Sequence, residues 1–361
     1  MFGDTLKKPI RLVQNRIDRR YPGGREIEKF RGNSGINDDL SPESWVGSTT
    51  LTLNHDSVPD GKLGYAQCYL DSGERVYLKD IIDSDPVSYL GEKHVSRFGS
   101  NISVLVKLLD AQKQLGLQCH PSRPVAKKYF DSDFGKVESW YVIGLREDQD
   151  EEPYLILGFK EGITREKFQE LFLKGDIAGM ENWCHRIKPT VGEMYYVAAG
   201  TPHAIGPGCF VIEVQEPSDI TVGANLRCFE NDGENQRFIE QTMESYEYNG
   251  RDELDNLSAY RVCPKILNLT QGGKETLLLG SDQISYFSVT RLDVTGSICA
   301  RDTGTFSILI VIGGAGKIKY DGGFMNVKMG DELFLPAGVS GVLWEAAEPM
   351  SVICCYPPEV L

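Results

Sequence analysis

Residues 192–203, GEMYYVAAGTPH, and residues 330–341, GDELFLPAGVSG, repeat one plan at equal length. Each runs glycine, an acidic residue, four mainly apolar residues, a small residue or proline, then Ala-Gly and a tight turn. Apolar residues bounded by glycine on both sides describe a short strand that stops abruptly. Self-similarity of this kind means one supersecondary unit used twice. The chain is therefore expected to be mainly β and to contain two similar small barrels, each repeat marking a strand that ends at a barrel mouth. The copies differ at their last position, His203 in the first and Gly341 in the second. Only the first barrel is expected to keep a metal-binding side chain there.

The surrounding text agrees. From about 115 to 220, LGLQCHP, VESWYVIG, PYLILGF, GEMYYVAAG and CFVIEVQ are short, rich in β-branched and aromatic residues, and bounded by Gly, Pro or Asp. ISVLVKLLDA before them reads as a buried strand, and ISYFSVTRLDV, FSILIVIGGAGKI and DELFLPAG resume the pattern near the C-terminus. Helices are few. Leu78, Ile81 and Ile82 have helical spacing, with Pro86 as a break. TREKFQELFLKGD offers Thr164 as an N-cap and sets Phe168, Leu171 and Phe172 on one face. A polar connector holds one more helix, ENQRFIEQTMESYEY. Four regions result: 1–100, completing the first barrel; 101–222, the metal-binding barrel; 223–262, a helical connector; and 263–361, the second, metal-free barrel. The Gly-rich IGGAGKIKYDGG lacks the strand–loop–helix context of a phosphate loop and is expected to form a hairpin turn.

Charge narrows the partners. The formal net charge is −14, from 52 acidic and 38 basic residues, which disfavours nucleic acid and anionic membranes because phosphate binding depends on clustered Lys and Arg. No run approaches the roughly eighteen apolar residues of a spanning helix. MFGDTLKKPIRLVQNR has no apolar stretch after its charges, so a cytoplasmic protein, monomer or homodimer, is expected. The nine cysteines include no CxxC pair and read as reduced thiols rather than a disulfide framework or zinc ribbon.

Gln118 and His120 stand two apart on a predicted strand, so their side chains share one face while Cys119 points away. Glu138 begins the next predicted strand and His203 ends a later one. Side chains from neighbouring strands can close on one divalent ion, and two His, a carboxylate and an amide oxygen suit Zn2+, with Mn2+, Fe2+ or Co2+ less well matched. His55, His94 and His185 have no partner at ligand spacing and are read as structural or exposed. Trp140 and Tyr141 are adjacent, so one is expected to face the core and the other outward.

The spacing G-x5-(P/A)-x-G-x2-H at 192–203 resembles the second motif of the cupin superfamily. More narrowly, LLDAQKQLGLQCHP, GKVESWYVIG and GTPHAIGPGCFVIEVQEPSD resemble the type I mannose-6-phosphate isomerases of the shorter bacterial form. The likeness is strong over about residues 100–220, and weaker near Trp45 and through the second barrel. It implies two cupin-like jelly-roll barrels with a few short helices, and one zinc ion held by Gln118, His120, Glu138 and His203. Gln118, where a general cupin offers His-x-His, favours the isomerase branch over iron dioxygenases. The resemblance also implies a reaction, the interconversion of mannose 6-phosphate and fructose 6-phosphate through an enediol. It places Lys136 at the substrate, where it would hold the phosphate or sugar oxygens or shuttle a proton. Glu213 lines the pocket, and Ser218 and Asp219 lie in the matching substrate loop.

One position departs from the family. After the Ser-Asp pair the family carries an arginine, in patterns such as SD-x-x-x-R, whereas this chain reads SDITVGANLR and puts Gly223 there. Arg227 stands four residues later, roughly 13 Å along an extended strand, and can substitute only if the loop is rearranged. The alternative to an isomerase is thus a cupin that binds a sugar or sugar phosphate without turning it over. A cupin oxygenase or epimerase is a third reading.

Overall fold

The computed structural model describes residues 7–34, 36–227 and 229–358. Strands outnumber helices, and the chain divides into two compact units, one of residues 7–19, 24–109 and 263–358, the other of residues 20–23 and 110–262.

The 110–262 unit holds two antiparallel ladders. In one, Glu138–Leu145 lies between Met194–Val197 and Cys209–Gln215. In the other the order is Cys184–Ile187, Leu155–Phe159, His203–Ile205, Gln118–Cys119, Val222–Gly223. Phe159, Phe168, Phe172, Met180 and Tyr246 fill the core around Cys119. Helix Arg165–Lys174 packs Phe168 and Phe172 into that core as its spacing requires, and the Thr164 side chain accepts from Lys167 N–H. Thr164→Ala should therefore cost about 1 kcal/mol of stability, the usual value of a lost N-cap, read as a lowered urea midpoint with an unchanged slope. Arg146 and Asp110 form a wholly buried two-point ion pair, Nε–Oδ1 2.9 Å and Nη2–Oδ2 2.5 Å.

In the other unit Ser307–Tyr320 and Leu343–Tyr356 form the spine of a sheet continued by Ser288–Val294, Gly273–Leu279 and Lys265–Thr270 on one side and Glu332–Leu335 and Ile10–Arg11 on the other. Trp344, Val311, Ile318, Leu333 and Val352 make up part of its core. Leu78, Ile81 and Ile82 are buried on helix Leu78–Ser84, and Pro86 opens the next helix behind an Asp85 cap instead of merely ending the first.

The mainly β expectation holds, as antiparallel sheets whose strand orders among the described residues are open. The Gly-rich segment forms the expected hairpin turn, at Asp321 and Gly322, and the strand Ser307–Tyr320 runs through the part before it with register shifts between Val311 and Gly316. Gly314 is required in that irregular stretch, with φ 71° and the Pro349 carbonyl 2.0 Å from where a Cβ would sit. Trp140 and Tyr141 are both buried, because packing covers both faces of their strand. The eight described cysteines are free, and Cys228 lies outside the described residues. No described helix is long and apolar enough to cross a membrane.

Candidate metal centre

The short strand Gln118–Cys119 pairs with His203 on one side and with Val222–Gly223 on the other. That places Gln118 directly opposite both His203 and Gly223. Cys119 turns the other way, its thiol donating to the Ser245 carbonyl, as strand alternation requires. His120 follows immediately, and its carbonyl accepts from Gly200 N–H at 2.7 Å. This ties it to the loop that delivers His203. Glu138 comes from the other ladder, where it opens the strand Glu138–Leu145.

His120, Glu138 and His203 are each 1% exposed, and one ligand atom from each lies within 4.8 Å of the others. His120 Nε2 is 3.1 Å from Glu138 Oε2, and His203 Nε2 is 3.5 Å from Glu138 Oε1. The Nδ1 atoms face carbonyl oxygens, Ile220 at 3.0 Å for His120 and Thr201 at 2.9 Å for His203. A carbonyl only accepts, so each Nδ1 carries the proton and each Nε2 presents a lone pair. This is the arrangement that orients metal-ligating imidazoles. Burial lowers the pKa of both rings, His120 to about 3 with the Lys136 charge acting in the same direction, so both are neutral across the physiological range. At Glu138 burial works to raise the pKa, but the Lys136 charge outweighs it and holds the carboxyl well below the usual range.

These groups fit a divalent cation. Lone pairs on two imidazoles and a carboxylate converge with no proton between them, and Glu138 Oε2 closes no hydrogen bond of good geometry although buried. Such a cluster needs positive charge at its centre. Lys136 Nζ already approaches it, 2.9 Å from His120 Nε2 and 3.1 Å from Glu138 Oε2. Gln118 is half-buried with its amide nitrogen 3.3 Å from His203 Nε2. A half-turn of the amide would present oxygen instead.

The remaining expected residues are placed unequally. Lys136 and Glu213 are 4% and 3% exposed, and Glu213 Oε1 lies 3.9 Å from Lys136 Nζ. Ser218 is buried, and its hydroxyl accepts from Ile220 N–H at 3.2 Å. It therefore shapes the turn that aims the Ile220 carbonyl at His120. Asp219 is half-buried beside it. Arg227 is exposed, with no ion pair to the cluster among the described residues. Gly223 has ordinary backbone geometry, and the nearest atom to an added Cβ is 4.0 Å away.

Some residues of the centre escaped the sequence reading. Trp140 stacks edge-on to His203 at 5.5 Å, and its buried Nε1–H is unpaired. Its place two residues after Glu138 was the available signal. Nothing in the sequence marks the Ile220 and Thr201 carbonyls, which act as backbone. His94 and His185 bond to the carbonyls of Asn101 and Arg251, and His55 to that of Thr52, all away from the cluster.

Comparison with known proteins gives a consistent answer. A family model described as phosphomannose isomerase type I, catalytic domain, matches residues 64–141, and one described as mannose-6-phosphate isomerase, cupin domain, matches 282–346. The first span contains Gln118, His120, Lys136 and Glu138. "Probable mannose-6-phosphate isomerase GmuF" of Bacillus subtilis (strain 168) is 32% identical over 241 residues, 66% of this chain and 70% of the relative. The mannose-6-phosphate isomerase of Streptococcus mutans is 28% identical over 80% of this chain and 86% of its own. The crystal structure of the mannose 6-phosphate isomerase from Bacillus subtilis superposes with a TM-score of 0.75 at 22% identity, covering 97% of this chain and all of that one. A phosphomannose isomerase from Salmonella typhimurium gives 0.75 at 16%, over 97% and 99%; at these identities the two structures speak for the fold. By sequence and by the matched catalytic segment, this chain belongs to the type I mannose-6-phosphate isomerase family of enzymes.

Proposed function

We propose that the chain interconverts mannose 6-phosphate and fructose 6-phosphate, with zinc held by His120, Glu138, His203 and the Gln118 amide oxygen. The observation carrying this reading is the convergence of His120, Glu138 and His203 within 4.8 Å in a chain of this family. The antiparallel sheets are read as two cupin-like jelly-roll barrels, and the ligand as a small sugar phosphate rather than nucleic acid or a membrane.

The reaction moves a proton between C1 and C2 of the sugar through an enediol, and needs a base within hydrogen-bonding reach of the C–H bond. A divalent cation in this cage supplies orientation of the sugar oxygens and stabilisation of the negative charge that develops. Lys136 approaches the same atoms from the side and is assigned to a sugar or phosphate oxygen, or to passing a proton. Glu213, 3.9 Å behind it, balances the Lys136 charge. Near-complete burial of these groups raises the strength of each such interaction by excluding water.

A coupled assay of fructose 6-phosphate formation tests this. Turnover should vanish on chelation and return with zinc. Gly223 favours a second reading, sugar-phosphate binding without isomerisation. Binding without turnover in the fully metallated protein would establish it.

A further inference from the structure

The strand that pairs with His203 is irregular at the point of pairing. His203 stands opposite Leu157 on Leu155–Phe159, and the Pro202 carbonyl, one residue earlier, accepts from Gly158 N–H at 2.9 Å. On the other edge of Leu155–Phe159 the register shifts: Cys184 faces Phe159, but Arg186 faces Ile156. Leu157 and Gly158 thus share the single opposite residue His185, as in a β-bulge. Gly158 takes φ 81° there, a conformation glycine adopts without steric cost.

A trans peptide unit is planar, with its C=O and N–H pointing opposite ways. The Leu157–Gly158 unit sends its N–H to Pro202, so its carbonyl points to the edge where the ladder breaks. Asn256 Nδ2 donates to that carbonyl at 2.9 Å. Asn256 is 1% exposed and comes from helix Glu253–Tyr260, whose Asp252 cap accepts from Asp255 N–H at 2.9 Å. The fit is close. A Cβ added at Gly158 would lie 2.3 Å from Asn256 Oδ1 and 2.5 Å from a Tyr260 ring carbon. Oδ1 itself is buried and closes no hydrogen bond of good geometry. Turning the amide over would set oxygen against the Leu157 carbonyl, so the donor orientation is fixed. An unpaired buried acceptor is costly, and a leucine of similar volume would not carry it. What asparagine contributes here is the bond to Leu157.

We propose, on the reading that His120, Glu138 and His203 hold a metal, that Asn256 is a positioning residue for His203. Its amide holds one end of the Leu157–Gly158 peptide, and the other end holds the Pro202 carbonyl and so the start of the strand that presents the imidazole. Asn256 acts through that peptide and has no contact with the ligand cluster among the described residues.

Co2+ titration of the intact, chelator-stripped chain tests this, followed by visible absorption in the wild type, Asn256→Asp, Asn256→Leu and Thr164→Ala. Asn256→Asp keeps the shape and loses the donor; Asn256→Leu loses the unpaired oxygen as well, so either suffices if the other fails to fold. Both should bind Co2+ about tenfold more weakly, the low end of what misorienting a ligand costs. Their Co2+ bands should also shift, because band position follows coordination geometry. Thr164→Ala loosens the same unit without touching this peptide, and should match the wild type in affinity and band. Unchanged affinity and band in a folded Asn256 variant would overturn the proposal, as would an equal loss in Thr164→Ala. A wild type that binds no Co2+ would refute the metal reading itself, and the role of Asn256 with it.

Discussion

Replacing His203 with alanine is expected to abolish stoichiometric metal binding and to lower turnover of mannose 6-phosphate by about a thousandfold or more. The imidazole is 1% exposed and fixed by the Thr201 carbonyl at 2.9 Å, so its removal takes a buried, oriented lone pair from the cluster. Changing a group that merely orients a ligand costs roughly 10–100-fold in affinity; deleting the ligand itself should exceed that. Losing one preorganised charge-stabilising group alone costs about 10²–10³-fold in rate, and here the cation goes with it. Metal content after exhaustive dialysis and single-turnover rates give the two readouts, with circular dichroism to show that the fold persists. Metal retained at one per chain in the variant would refute the ligand assignment.

The parts of this centre that were legible in the sequence are those governed by local periodicity. Gln118 and His120 sit two apart, and the repeat aligns residue for residue: strands Met194–Val197 and Glu332–Leu335 occupy the same repeat positions. The preceding Gly192 and Gly330 have nearly equal φ, 93° and 89°. Thr164 capped its helix because a cap is a contact three residues long. What was not legible depends on which strands become neighbours. His203 begins a strand and does not end one, since its pairing with Gln118 is decided by a segment 85 residues away. The carbonyls that set both imidazole tautomers belong to residues whose side chains carry no signal. Tyr141 is buried because the second face of its strand is covered, and alternation alone describes a strand with one face in water.

Gly223→Arg is expected to raise kcat/KM by about 10²-fold, through kcat more than KM. Its backbone pairs with Gln118, and directly opposed residues in an antiparallel ladder project to the same face. A side chain there would thus leave the sheet beside the amide that faces His203. A Cβ has room there, with the nearest atom 4.0 Å away, and the backbone is not in the left-handed region that favours glycine. The gain is the reverse of removing one charge-stabilising donor, about 2.7–4 kcal/mol in other enzymes, reduced because an arginine introduced singly lacks the neighbours that would hold it rigid. Arg227 is exposed, so Arg227→Ala should alter kcat/KM by less than about twofold, the scale of surface substitutions. The pair of variants decides how the chain manages without the family's arginine. A large loss in Arg227→Ala, with no gain in Gly223→Arg, would mean that the 224–227 loop closes over bound substrate and delivers that guanidinium from four residues further on. The reverse pattern would mean that Lys136 is the cation on which the existing site depends, and that Gly223 limits its rate.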